Sequence, residues 1–218
     1  MFKMPSGDTC KRTPILRMAA TSILVFGFAI CSFAQTKTSE ASSPSDASSP
    51  SINLGLVTIK NFGQVNSHFF RGAQPKDDEY KALAALGIKA VIDLRNDPMP
   101  FAKSAAEAAH MRYFNIPMSD KDAPNQEAID EFLKITKDPD NGPFYVHCAG
   151  GRHRTGLMGA VYRFNFDGWD YEMAYQEMKK YDYYSRWGHG EIKKYVRQYW
   201  QRFHSKETQQ SLIVQTNK

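Results

Sequence analysis

The run His147-Cys148-Ala149-Gly150-Gly151-Arg152-His153-Arg154-Thr155-Gly156 constrains this chain more than any other stretch. Before it, Pro143-Phe144-Tyr145-Val146 reads as a short buried strand. After it, Leu157, Met158, Ala160, Val161, Tyr162 and Phe164 read as a packed helix. The ten residues therefore join a strand to a helix N-terminus, where unpaired backbone N–H groups and a partial positive charge favour an anion. Gly150 and Gly151 let the loop curl so that successive amides face inward. Arg154 adds a planar fork that can pair two oxygens at once.

The same field acts on Cys148. A free thiol has a pKa of about 8.5, which falls to roughly 3.5–7.5 beside a helix N-terminus and cations. Thr155 is placed to donate a hydroxyl hydrogen bond to that sulfur, and His147 to orient the loop rather than react. Ala149, Gly150, Gly151, Arg152 and His153 form the expected substrate-binding wall, with Arg152 and His153 a cationic rim suited to neighbouring anionic groups. A cysteine chosen at random is more often inert packing. The arginine six residues on, the two glycines and the flanking elements reverse that expectation.

The segment matches the Cys-x5-Arg-Ser/Thr signature and so resembles the protein tyrosine and dual-specificity phosphatase superfamily. Arg152-His153 within the loop makes it most similar to the compact atypical dual-specificity group of bacteria, plants and fungi. Phe70-Arg71-Gly72-Ala73-Gln74-Pro75 and Val91-Ile92-Asp93-Leu94-Arg95 resemble that group's early strand-and-turn and second-strand motifs. The resemblance implies an α/β fold, with a central mixed, mostly parallel sheet flanked by helices. It also implies phosphomonoester hydrolysis through a phosphocysteine, with Cys148 attacking, Arg154 and the loop amides holding the phosphoryl group, and no cofactor. The expected substrate is a phosphorylated protein or an inositol polyphosphate, with no part for nucleic acid. The six histidines show no metal-ligand spacing.

Such chemistry needs a carboxylic acid to protonate the departing oxygen. Asp120 is the first candidate, because Asp120-x-x-x-Pro124 resembles the general-acid loop of tyrosine phosphatases. Asp122 is the alternative acid, or else the cap of the helix carrying Ala128, Ile129, Phe132, Leu133 and Thr136. Arg71, Asp93 and Arg95 stand outside the catalytic set, the last two as a possible structural ion pair. Two other chemistries could use the same cradle: a phosphate-binding pseudophosphatase, and a sulfurtransferase working through a persulfide. Arg154-Thr155-Gly156 and the acid loop fit the phosphatase better.

Lys11, Arg12 and Arg17 precede an apolar run, Ile23 to Ala34, that ends in Ser32-Phe33-Ala34, a small-x-small cleavage pattern. Residues 1–34 are thus expected to be a signal peptide, and the Ser/Pro-rich residues 35–52 a flexible spacer. The catalytic domain would span 53–204, and 205–218 a polar tail. The expected product is exported, periplasmic or secreted, with no membrane span in the mature chain. Residues 1–34 hold four of the 28 Lys/Arg and one of the 23 Asp/Glu, so the mature net charge is +2 rather than +5. They also hold Cys10 and Cys31, which leaves Cys148 without a disulfide partner.

Periodicity predicts strands over 54–60, 65–70, 88–94 and 112–118, with a turn at 71–75. It predicts helices over 77–86, 101–111 and 192–203, and an Asp170-capped helix containing Met173 and Met178. Tyr181, Tyr183, Tyr184 and Trp187 are expected to be packing residues rather than a stacking platform.

Overall fold

A computed structural model describes residues 57–216. The expected signal peptide and spacer lie outside the described residues. Five strands form one sheet in the order β1-β2-β5-β3-β4, comprising β1 (Gly63–Gln64), β2 (Phe69–Ala73), β3 (Ala90–Arg95), β4 (Arg112–Met118) and β5 (Phe144–Cys148). β1 is antiparallel to β2, and the remaining pairings are parallel. The sheet is therefore mixed and mostly parallel, as expected.

Strand alternation divides the core in two. Ala90, Ile92 and Leu94 of β3 and Phe144, Val146 and Cys148 of β5 share one cluster, whereas Val91 and Tyr145 join the other. A strand turns successive side chains to opposite faces, so Cys148 and His147 leave β5 on opposite sides. The Cys148 side packs against α3 (Gln126–Lys137), α4 (His153–Phe166), α5 (Tyr171–Lys180) and α6 (Gly190–Thr216). The other side is covered by α1 (Glu79–Ala85) and α2 (Ala102–Ala108). Helix α4 runs through the middle of its layer, buried continuously from Arg154 to Phe164. That is why its sequence shows no polar stripe.

Several local expectations are corrected. Residues 57–59 are irregular rather than strand, and the second strand starts at Phe69, because Asn66 turns the chain by accepting from the amides of His68 and Phe69. The segment read as a turn, Arg71-Gly72-Ala73, completes β2. Gly72 sits there because the Tyr145 hydroxyl lies 2.3 Å from where a Cβ would be. Asn125, not Asp122, caps α3 by accepting from the Ala128 amide at 3.0 Å. Asp170 caps α5 as expected, accepting from Met173. Helix α6 continues past Phe203 through Thr216, across the stretch expected to be a tail. Among the described residues no helix is long and apolar enough to cross a membrane.

Candidate active site

β5 lies inside the sheet between β2 and β3, and the loop 149–152 springs from its carboxyl end, where open α/β sheets place their ligands. Three successive carbonyls of this loop are turned away from the cleft. The Ala149 carbonyl accepts from the Gln74 amide at 3.3 Å, that of Gly150 from Asn61 Nδ2 at 2.8 Å, and that of Gly151 from Arg71 Nη2 at 2.7 Å. In a trans peptide the N–H points opposite to the C=O. Anchoring these carbonyls outward therefore aims the amides of Gly150, Gly151 and Arg152 inward, with the α4 N-terminus behind them.

The two glycines have different duties. Gly151 has φ +68°, and a Cβ there would lie 2.4 Å from the Gly72 carbonyl carbon and 2.6 Å from the Ala73 nitrogen. A Cβ on Gly150 would meet nothing closer than 3.8 Å. Gly151 is thus demanded both by its backbone conformation and by its contact with β2.

Cys148 is 4% exposed. Burial pushes its thiol pKa up, but the Thr155 hydroxyl and amide, the Arg154 charge and the Arg152 amide together hold it below the ordinary value. Arg154, 6% exposed, donates from Nη1 to the Met118 carbonyl at 3.1 Å and more weakly to Leu94 O and Asn96 Oδ1, both at 3.4 Å. The carboxyl ends of β3 and β4 thereby fix the guanidinium at the rim of the cleft.

Arg71 is completely buried, so it braces the loop from beneath and does not line the cleft. Its guanidinium lies over the Tyr181 ring, 4.0 Å from the centroid. Burial disfavours its charge, while Tyr181, Glu177 and Cys148 support it. Asp93 and Arg95 make no ion pair with each other's side chains. Arg95 pairs with Asp97 at 3.1 Å, and Asp93 accepts from the Arg95 amide and the Tyr113 hydroxyl. His147, wholly buried on the far face, has Nδ1 3.8 Å from Asp93 Oδ1, and burial lowers its pKa to about 4 despite that carboxylate.

A cleft of about 200 Å³ is lined by Cys148, Ala149, Gly150, Arg152, His153, Arg154, Asp120, Tyr184 and His189. The two candidate acids separate here. Asp120 is among the residues lining the cleft, whereas Asp122 is folded into a local turn, accepting at 2.8 Å from the Ser119 hydroxyl, which itself accepts from the amides of Lys121 and Asp122.

The expected cationic rim is thinner than the sequence implied. His153 is held neutral, its pKa lowered to about 4 by burial and by the nearby His189 and Arg152. Arg152 remains, loosely paired with Asp182 at 3.7 Å. The aromatic cluster also divides. Tyr183 is buried and Tyr181 supports Arg71, but Tyr184 lines the cleft and Trp187 is 81% exposed. Asn61 and His189 carry no sequence signal for the site, and Tyr184 is expected from the sequence only as a packing residue. The positive φ of Asn61, 54°, fits a residue type that tolerates it, yet nothing local points to its partner 89 residues away.

Among the described residues, no group of three or more His, Cys, Asp or Glu side chains is placed to hold a metal ion. The site presents a buried thiol held below its ordinary pKa within an amide cradle, a guanidinium at its rim and an aspartate, Asp120, in the cleft lining. Such a set can bind a tetrahedral oxyanion, attack it, and protonate a departing oxygen.

Similarity to known proteins agrees with this geometry. A probable tyrosine-protein phosphatase of Dictyostelium discoideum, DG1060, is 28% identical over 126 residues, covering 56% of this chain and 75% of that protein. The rice inositol diphosphatase DSP2 is 32% identical over 108 residues, 47% of this chain and 53% of that one. The crystal structure of TpbA, a dual specificity protein phosphatase of Pseudomonas aeruginosa, superposes with a TM-score of 0.55 at 25% identity, covering 64% of this chain and 84% of that one. In sequence, the chain spans only 62% of TpbA's length. The family described as "DSP-PTPase phosphatase fused to NAD+ Kinase" matches residues 58–195, from before β1 into α6. With that match enclosing the whole cradle and its supports, the chain belongs to the dual-specificity-type protein tyrosine phosphatase (DSP-PTPase) family.

Proposed function

We propose that this protein is a cysteine-dependent phosphomonoesterase. The Cys148 thiolate attacks phosphorus as the P–O bond to the leaving group breaks, and the carboxyl group of Asp120 gives its proton to the departing oxygen. Arg154 and the inward amides of the loop bear the charge that spreads over the equatorial oxygens. Water then hydrolyses the phosphocysteine, with Asp120 taking up the proton, and Thr155 stabilises the sulfur as it leaves. The observation that carries this reading is the outward anchoring of three consecutive loop carbonyls around a thiol held below its ordinary pKa.

The test is hydrolysis of p-nitrophenyl phosphate with and without vanadate. Wild-type protein is expected to turn over and to be inhibited. Cys148→Ser is expected to lose activity by more than about 10⁴-fold while still binding phosphate. Undiminished turnover in that variant, or vanadate-insensitive activity in the wild type, overturns the mechanism, and absent activity in the wild type favours a binding module.

The substrates proposed are phosphorylated protein side chains or inositol polyphosphates. The relatives bear names of both kinds. Comparing kcat/KM for a phosphotyrosine peptide and an inositol pyrophosphate, before and after Arg152→Ala, separates them. A loss confined to the polyanion assigns Arg152 to its recognition. We also propose export, with cleavage after Ala34, so that mature protein recovered from the periplasm or medium begins at Gln35.

A further inference from the structure

The segment between α5 and α6 reaches back over the cleft. Trp187 (φ 61°) and Gly188 (φ 90°) make two successive left-handed residues, and the reversal returns His189 to the site. A non-glycine residue in that region carries strain that the surrounding structure must support. Here the support is visible. The His189 carbonyl accepts from the Tyr183 hydroxyl at 2.7 Å, and the ring is flanked edge-on by Tyr184 at 5.4 Å. His189 is 7% exposed although it begins no strand and precedes α6.

The ring joins two loops. One face lies flat on His153, with centroids 3.6 Å apart and planes 9° apart, and His153 is the first residue of α4. Its Nδ1 lies 2.9 Å from the backbone oxygen of Asp120, 69 residues earlier. A carbonyl oxygen only accepts, so Nδ1 carries the proton. Gly188 packs beside the same loop, since a Cβ there would touch the Lys121 methylenes at 3.6–3.9 Å. Fixing the Asp120 carbonyl fixes the peptide plane next to its Cα, and with it the direction in which the carboxylate leaves the chain.

We propose that His189 is a positioning residue that holds Asp120 over the phosphate cradle, bonding to its carbonyl while resting on His153. The inference depends on the reading of Asp120 as general acid. His189 touches neither phosphorus nor the leaving oxygen in this role. The proton still passes from the Asp120 carboxyl to the leaving oxygen as the S–P bond forms and the P–O bond breaks.

The test uses the full chain and two aryl phosphates whose leaving groups differ in basicity, phenyl phosphate and 2,4-dinitrophenyl phosphate. His189→Phe keeps a ring on His153 and removes the donor. It is expected to lower kcat/KM for phenyl phosphate by about tenfold or more, and that for 2,4-dinitrophenyl phosphate by less than about threefold, because only the basic leaving group needs the acid. His189→Asn, whose amide supplies a donor near the Nδ1 position, should recover most of the loss on phenyl phosphate. The double variant Asp120→Asn/His189→Phe should be no slower than Asp120→Asn alone, as expected of two residues acting through one proton.

An equal fractional loss on both substrates, or losses that multiply in the double variant, overturns the assignment. If His189→Phe does not fold, His189→Leu carries the same expectations. If Asp120→Asn itself leaves the dependence on leaving group unchanged, the reading of Asp120 fails. If Asp120→Asn steepens that dependence and the His189 variants do not, only the positioning role falls.

Discussion

The loop after Cys148, proposed here as the phosphate loop, and the loop of Asp120, proposed as the acid loop, line one cleft, yet they are held in opposite ways. The phosphate loop is anchored from beneath by buried groups, with Arg71 fully enclosed and β2 so close that only glycine fits at 151. The acid loop lies at the surface, shaped by the Ser119 turn and tied across the cleft at the Asp120 carbonyl. On the proposed mechanism, one region presents the same amides whatever the substrate, and the other releases a product and readmits water. Segments with few buried contacts open at lower free energy than the core, so the contrast sets which half of the site moves.

Beyond the loss expected for Cys148→Ser, the largest expected effect lies on the anchored side. Arg154→Lys loses the planar fork that can pair two phosphoryl oxygens while Nη1 is held by the β3 and β4 ends, so kcat on p-nitrophenyl phosphate should fall by about 10³-fold. A loss below tenfold would break the view that this side is rigidly specified. Next is Gly151→Ala, expected to cost about 10²-fold through displacement of the loop, while Gly150→Ala stays within about threefold. Equal effects at the two glycines would erase the distinction drawn between them.

On the looser side, Asp120→Asn should slow phenyl phosphate hydrolysis by about 10²-fold, while Asp122→Asn changes little. The reverse pattern would transfer the acid to Asp122. The smallest effect is expected for Thr155→Val. Thr155 lowers the Cys148 pKa, so its loss raises it, and because the thiolate is the reactive form, the acid limb of kcat/KM should move to higher pH. A shift to lower pH, measured with p-nitrophenyl phosphate, would contradict the role given to that hydroxyl.

The same contrast explains what the sequence could reveal. The cradle was legible because its chemistry is local, with thiol, glycines and guanidinium within seven residues between a strand and a helix. Even the opposite facing of His147 and Cys148 follows from strand alternation. The supports were not legible. Asn61 and Arg71 reach the loop across 89 and 80 residues, and His189 reaches Asp120 across 69, separations that leave no periodic trace. Gly72 and Pro75 gave a turn signal, but the glycine makes room for Tyr145 inside a strand. Asp122 and Asn125 are both favourable capping types, and composition alone does not choose between them. The lowered pKa of His153 is hidden for a similar reason, since its ring packs against Tyr183, Tyr184 and His189 far along the chain.

The register of β2 beside β5 bears on the life of the chain before it is an enzyme. Arg71 aligns with Val146 and Ala73 with Cys148, and the Tyr145 hydroxyl donates to the Ala73 carbonyl across 72 residues. Such long-range pairing forms late, because loop closure must precede it. Until then Cys148 is an ordinary thiol, mostly protonated at neutral pH. The lowering of its pKa depends on contacts that exist only in the folded chain, so on the proposed mechanism the reactive thiolate, and the susceptibility to oxidants that accompanies it, is a property of the folded chain.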